Sequence, residues 1–179
     1  LGYTSNHILQ LARNTQIKTK RWWCNPIGKS VQELSEEYIK GALHLSCQAI
    51  NECLPDPEDL RRIGTFIFVS TTQQLEVCPG MSFRIAGELD LPPTTRLVDI
   101  ISDGCQGSVP GLETAYAHLV AFREPVLLVT TEICSSTFFP ADERDMQNVV
   151  SNIIFQDGAA ALLLDYSDRG EFPALLDFE

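Results

Sequence analysis

The sequence predicts a layered α/β domain, and three observations predict it. Short apolar, β-rich runs alternate with segments of helical periodicity, the order that builds a sheet with helices packed against it. The runs are near-continuous in apolar residues, as strands are when both faces of a sheet are covered. The 179 residues, 44% apolar and 21% charged, suit one globular domain with a sizeable core.

The elements follow in order. Residues 30–54 read as a helix. Leu34, Tyr38, Ala42, Leu45, Ala49 and Cys53 step by three or four, and Ile39, Leu43, Cys47, Ile50 and Leu54 widen the apolar face. Such a wide face suggests burial between layers. Ser30 followed by Glu33 is a capping-box start, and Pro55 follows the end. Residues 65–71 form a first buried strand. Residues 79–89 read as a helix with Pro79 in its first turn. Residues 96–102 form a second strand, 112–122 a helix, 126–131 a third strand, and 159–164 a fourth after the Asp157-Gly158 turn.

Charge and cysteine content narrow the function. Thirteen Lys and Arg against 24 Asp and Glu leave a net charge of −11, a poor match to a nucleic-acid phosphate backbone. No apolar run approaches the ~20 residues of a membrane span, and no basic-then-apolar leader pattern opens the chain. The six cysteines (Cys24, Cys47, Cys53, Cys78, Cys105 and Cys134) include no CxxC pair, and His7, His44 and His118 are scattered. No metal site is expected. A chain with this much core has no need of disulfide staples, so the expectation is reduced thiols and a cytoplasmic location.

The stretch that carries chemistry is residues 99–112. A buried strand ends at Ser102, a glycine-flanked turn follows, and a helix begins. Cys105 falls at that strand-to-helix corner. Unpaired N–H groups and the positive end of the helix dipole favour an anion there, and the thiolate is the nucleophilic form of cysteine. Gly104 and Gly107 allow a substrate to approach the backbone. The Cys105 N–H is positioned to donate to a developing oxyanion. A buried, inert cysteine in a tight turn is the competing reading. Pro110, close to where a helical N–H is first needed, suggests an irregular opening turn or a later helix start.

Five ordered motifs resemble the N-terminal half of a thiolase-fold condensing enzyme, in the branch of β-ketoacyl-ACP synthase III and the type III polyketide (chalcone-synthase-like) enzymes. They are residues 16–21 (Gln-Ile-Lys-Thr-Lys-Arg), Cys78-Pro79-Gly80, Asp103-Gly104-Cys105-Gln106-Gly107 running on to Gly111-Leu112, Glu132-Ile133 with Thr137-Phe138, and the Phe155-Gln156-Asp157-Gly158-Ala159-Ala160-Ala161 run. The resemblance implies a thiolase-like, layered α-β-α half of the αβαβα ketosynthase fold over residues 1–179. It implies Cys105 as the nucleophile that takes an acyl group from acyl-CoA or acyl-ACP and condenses it with a malonyl-type extender, as in fatty acid or polyketide biosynthesis. No bound cofactor is implied, since the CoA or carrier-protein thioester is the substrate.

By position, Cys78 matches a residue that reaches into a neighbouring subunit's pocket, so a homodimer is implied. Cys134, Ser136 and Thr137 match positions lining the acyl pocket, Phe155 matches a gatekeeping Phe, and Glu132 matches a buried acid of the structural network. Arg13, Lys18, Lys20 and Arg21, with Trp22 and Trp23, lie near the implied pantetheine entrance. Gln106 and Gln156 replace small residues of the pattern. The family's His and Asn belong to a C-terminal half, expected from outside these residues or from a companion subunit. None of the three His here matches them. His118, thirteen residues past Cys105, would stand roughly 20 Å along the helix axis. A non-condensing acyltransferase, passing the acyl group to oxygen or nitrogen, and a silent partner subunit of a ketosynthase heteromer are the alternatives.

Overall fold

The computed structural model describes residues 4–76, 78–101, 103–138 and 144–166. The helices are α1 (Asn6–Asn14), α2 (Val31–Cys53), α3 (Pro57–Leu60), α4 (Met81–Glu88), α5 (Ser108–Phe122) and α6 (Met146–Ile154). The strands are β1 (Thr65–Ser70), β2 (Arg96–Ile101), β3 (Val126–Glu132) and β4 (Gly158–Leu164), and short 3-10 turns span Gly104–Gln106 and Cys134–Thr137.

The strands form one sheet in the order β2-β1-β3-β4. β1 runs parallel to β2 and β3, whereas β4 is antiparallel to β3, with Val129 opposite Ala161. Successive residues of a strand point to opposite faces. Phe66 and Phe68 of β1, with Leu127 and Val129 of β3, therefore meet Tyr38, Ala42 and Ile50 of α2 and Ile85 of α4 in the larger core. Ile67, Val69, Val126 and Leu128 meet Ala115 and Leu119 of α5 on the other face. β1 leads into α4 on one face and β2 into α5 on the other. The connections diverge between neighbouring strands and leave a crevice outside their carboxyl ends, where open α/β sheets hold ligands.

The α/β architecture and all four strands lie where the sequence places them, while several boundaries and faces differ. α2 starts after the Ser30 capping box, in which the Ser30 hydroxyl accepts the Glu33 N–H at 3.2 Å and Glu33 Oε2 accepts the Ser30 N–H at 2.7 Å. Leu34, Tyr38, Ala42 and Ile50 of α2 are buried, whereas Ile39, Leu43, Leu45, Cys47, Ala49 and Cys53 are only half-buried, so α2 caps one face of the sheet rather than being sandwiched. α4 starts at Met81, two residues after Pro79, and its second N–H, on Ser82, is taken by the Asp99 carboxylate of β2 at 3.0 Å.

α5 begins at Ser108, earlier than the apolar periodicity suggests. Pro110 is its third residue, where no intrahelical N–H is required, so the proline is accommodated without a later start. Coverage of the sheet is incomplete: Leu162 of β4 is 46% exposed, as are about half of Val109 and Val120 on α5. The helix α6, not foreseen in the sequence, packs on α1 through Ile8, Val149 and Ile153.

Candidate active site

The corner after β2 is built by three glycines. Gly104 has φ +66°, a left-handed conformation that glycine adopts without strain. Gly107 and Gly111 let α5 lie against β1: a Cβ on Gly111 would stand 2.9 Å from Val69 Cγ2, and one on Gly107 3.1 Å from Val69 Cγ1. The 3-10 turn closes with Gly107 N–H donating to Gly104 O at 3.0 Å, which leaves the Cys105 N–H outside that bond. Cys105 itself is an exposed, free thiol, the middle residue of the turn at the foot of α5.

Cys105 opens onto a cavity of about 440 Å³ at the carboxyl ends of the strands. β1 contributes Val69 and the Thr71-Thr72 segment beyond it, β3 contributes Thr130 and Glu132, and the turn after β3 contributes Cys134 and Thr137. Trp22, Phe138 and Phe155 supply aromatic wall, and Trp22 and Phe138 are in ring contact at 4.9 Å.

Two carboxylates hold the walls in register. Glu132 accepts the N–H groups of Thr71 and Thr72, at 2.6 and 3.0 Å, and the Thr72 hydroxyl at 2.9 Å. The Thr72 hydroxyl oxygen in turn accepts the Ile133 N–H at 3.0 Å. Glu132 thus ties the ends of β1 and β3 together. Buried Asp157 accepts the Ser135 N–H at 2.7 Å and the Trp23 N–H, while its own N–H donates to Arg21 O at 3.0 Å. The 20s segment, the turn after β3 and the start of β4 therefore meet on one side chain.

Cys105, Cys134, Thr137 and Phe155 share the cavity, together with Glu132, Lys20, Trp22, Phe138, Gly104 and Gly107 from the other sequence motifs. Burial, with the nearby negative charges of Glu132 and Asp157, pushes the Cys134 thiol up to about 12, so it stays protonated at neutral pH. Ser136 is buried, and its hydroxyl donates to Ile133 O at 2.7 Å, a bond that shapes the turn rather than the cavity surface. Cys78 is exposed, three residues before α4, and is not among the cavity-lining residues of this single chain. His44 is exposed and in ring contact with Trp23. His118 hydrogen-bonds Thr65 Oγ1 at 3.2 Å, at the opposite end of β1 from the cavity.

Sequence reasoning missed Thr71, Thr72, Asn148, Ser151 and Asn152 as cavity residues. Thr71 and Thr72 follow directly on a strand's carboxyl end, a usable signal. The other three lie on α6, whose Met146, Val149, Val150 and Ile153 carry helical spacing after the Asp145 cap. Among the described residues no cluster of His, Cys, Asp or Glu could hold a metal ion.

The profile described as "Chalcone and stilbene synthases, N-terminal domain" matches residues 7–167. The chain belongs to the chalcone and stilbene synthase family. Within its curated members, a Bacillus subtilis relative with a provisional chalcone synthase name is 32% identical over 171 residues, covering 89% of this chain and 46% of its own. The 3,5-dihydroxyphenylacetyl-CoA synthase of Amycolatopsis orientalis is 29% identical, with coverages of 86% and 42%. Among solved structures, the 1,3,6,8-tetrahydroxynaphthalene synthase of Streptomyces coelicolor, a bacterial type III polyketide synthase, superposes with a TM-score of 0.77 at 24% identity, over 89% of this chain and 47% of that one. The 3-oxoacyl-(acyl carrier protein) synthase III of Pseudomonas aeruginosa follows at 0.59 and 26% identity, over 73% and 38%. Both solved structures share this chain's fold, a thiolase-like α/β arrangement. The chain spans less than half the length of these relatives. Among the described residues no helix is long and apolar enough to cross a membrane.

Proposed function

We propose that Cys105 is the nucleophile of a cytoplasmic ketosynthase that builds a polyketide or fatty acyl product. The observation that carries this reading is the exposed Cys105 thiol opening onto the cavity at the strand-to-helix corner. The Cys105 thiolate attacks the carbonyl carbon of an acyl-CoA or acyl-ACP. The carbon–sulfur bond to the carrier breaks, the carrier thiolate leaves and takes up a proton, and the acyl group rests on Cys105 as a thioester. The Cys105 N–H serves the oxyanion of this step. A malonyl-type thioester then loses CO₂. The electron pair of the broken carbon–carbon bond attacks the Cys105 thioester, a new carbon–carbon bond forms, and the thiolate is released.

A cavity lined by small polar side chains (Thr71, Thr137, Ser151) and by aromatic ones (Trp22, Phe138, Phe155) suits a thioester and its attacker. Glu132, whose two oxygens are occupied by three donors, acts as a strut and not as a base. The carbanion step calls for donors to the thioester oxygen from a second half of the ketosynthase or a companion subunit. The exposed Val109 and Val120 of α5 and Leu162 of β4 offer that half apolar contacts. Exposed Cys78 is consistent with a homodimer in which it approaches the partner's cavity.

The test is product formation. The protein, assembled with its second half and given an acyl-CoA and malonyl-CoA, releases CO₂ and a chain-extended product, and Cys105→Ala abolishes both. CO₂ release with no new carbon–carbon bond, or extension that survives Cys105→Ala, refutes the reading.

A further inference from the structure

Lys20 is a charged side chain of the cavity that neither acyl transfer nor condensation uses. It lies on the cavity wall, half-buried, with Nζ donating to the Asn152 carbonyl near the end of α6 and standing 5.7 Å from the Trp22 ring centroid. Among the described residues it makes no ion pair. Asp157 acts on it only through space, since that carboxylate is bound to the Ser135 and Trp23 N–H groups. The other acid of the cavity, Glu132, is occupied by Thr71 and Thr72. Burial lowers the Lys20 ammonium below the ordinary lysine range, and the nearby Cys134 and Asp157 only partly offset it. A cation in that position is stabilised by an anion delivered into the cavity.

We propose that Lys20 selects the acyl group: its ammonium holds a carboxylate at the far end of the chain loaded on Cys105, so that ω-carboxyacyl thioesters are preferred starters. This rests on the reading of Cys105 as nucleophile. The carboxylate belongs to the acyl group rather than to the malonyl extender. An ammonium ion stabilises a carboxylate and so opposes the loss of CO₂ that the extender must undergo. It suits a carboxylate that persists. A carrier phosphate is the poorer partner, because Lys18 and Arg21 nearby are exposed and can meet it in water, whereas Lys20 is committed to Asn152 and Trp22 on the cavity wall.

The test measures single-turnover acylation of Cys105 by N-acetylcysteamine thioesters, which carry no phosphate. Glutaryl is compared with its neutral isostere, 4-carbamoylbutanoyl. The wild-type protein is expected to load glutaryl about tenfold faster at subsaturating thioester, a difference of ~1.4 kcal/mol. Lys20→Met removes the preference, read as the ratio of the glutaryl rate to the isostere rate within each protein, and Lys20→Arg keeps a preference. Equal rates for the two thioesters in the wild type, or a preference that survives Lys20→Met, overturns the proposal. So does a Lys20→Met loss seen only with CoA thioesters and equal for both acyl groups, which assigns Lys20 to a phosphate. If the neutral thioester loads Cys105 and glutaryl does not, selection by Lys20 fails alone. If neither loads, the nucleophile reading fails with it.

Discussion

Glu132, the last residue of β3, accepts both the N–H and the hydroxyl of Thr72, at 3.0 and 2.9 Å, and so joins the carboxyl ends of β1 and β3 beneath the cavity. A third donor, the Thr71 N–H at 2.6 Å, completes its coordination. All three partners donate, so only an acceptor fits on both sides. Glu132→Gln turns an –NH₂ group towards a donor and removes the charge from the remaining bonds. The expected loss is ~1.5–3 kcal/mol, the range for hydrogen bonds to charged groups. Chemical denaturation of the two proteins checks it, and an unchanged midpoint would show that Glu132 is no strut.

The glycines of the nucleophile corner make a prediction with a built-in contrast. A Cβ on Gly111 would stand 2.9 Å from Val69 Cγ2 and 3.3 Å from Leu128 Cδ1, both in the core beneath α5. Gly111→Ala is expected to cost ~1–3 kcal/mol by overpacking and to shift Cys105 relative to the sheet. A Cβ on Gly87 of α4 meets nothing within 4 Å, so Gly87→Ala is expected to stabilise by ~0.5–1 kcal/mol. Melting curves of the two variants should move in opposite directions.

Thiol labelling separates the cysteines by exposure and ionisation. Only the thiolate reacts. Cys134 and Cys47 are held up at about 12 and about 11, chiefly by burial, whereas Cys105 and Cys78 are exposed. Iodoacetamide at pH 7.5, followed by peptide mapping, should label Cys105 and Cys78 and spare Cys134 and Cys47. For the raised pair the neutral thiol is the folded form. Their contribution to stability is complete below the ordinary thiol value and is lost as pH rises towards their folded values, so labelling at these two sites should appear only on strongly alkaline treatment. Rapid modification of Cys134 at pH 7.5 would contradict its placement.

Much of this arrangement was legible in the residues. The apolar runs located β1 and β3 because both are buried on their two faces, and burial is what a continuous apolar run records; β2 and β4 carry similar apolar runs though they are only partly covered. Cys105 stood out because a strand end, two glycines and a helix start converge on it. The start of α5 differs from the sequence reading because its first turn, Ser108-Val109-Pro110-Gly111, carries no apolar period, its Gly111 serving instead the close approach to Val69. The wall supplied by α6 was missed because its cavity residues, Asn148, Ser151 and Asn152, are polar and gain meaning only when the helix is placed over the strand ends. The Glu132–Thr72 bond spans sixty residues of sequence, and no local pattern announces it.

The central claim is that Cys105 carries the acyl group. Intact-mass spectrometry of the assembled protein after brief incubation with an acyl-CoA, followed by peptide mapping, tests it most directly. The account predicts a single acyl addition that maps to Cys105, is absent from Cys105→Ala, and is released by hydroxylamine. An unmodified Cys105 that still reacts with iodoacetamide, or an acyl group found on another cysteine, would contradict it.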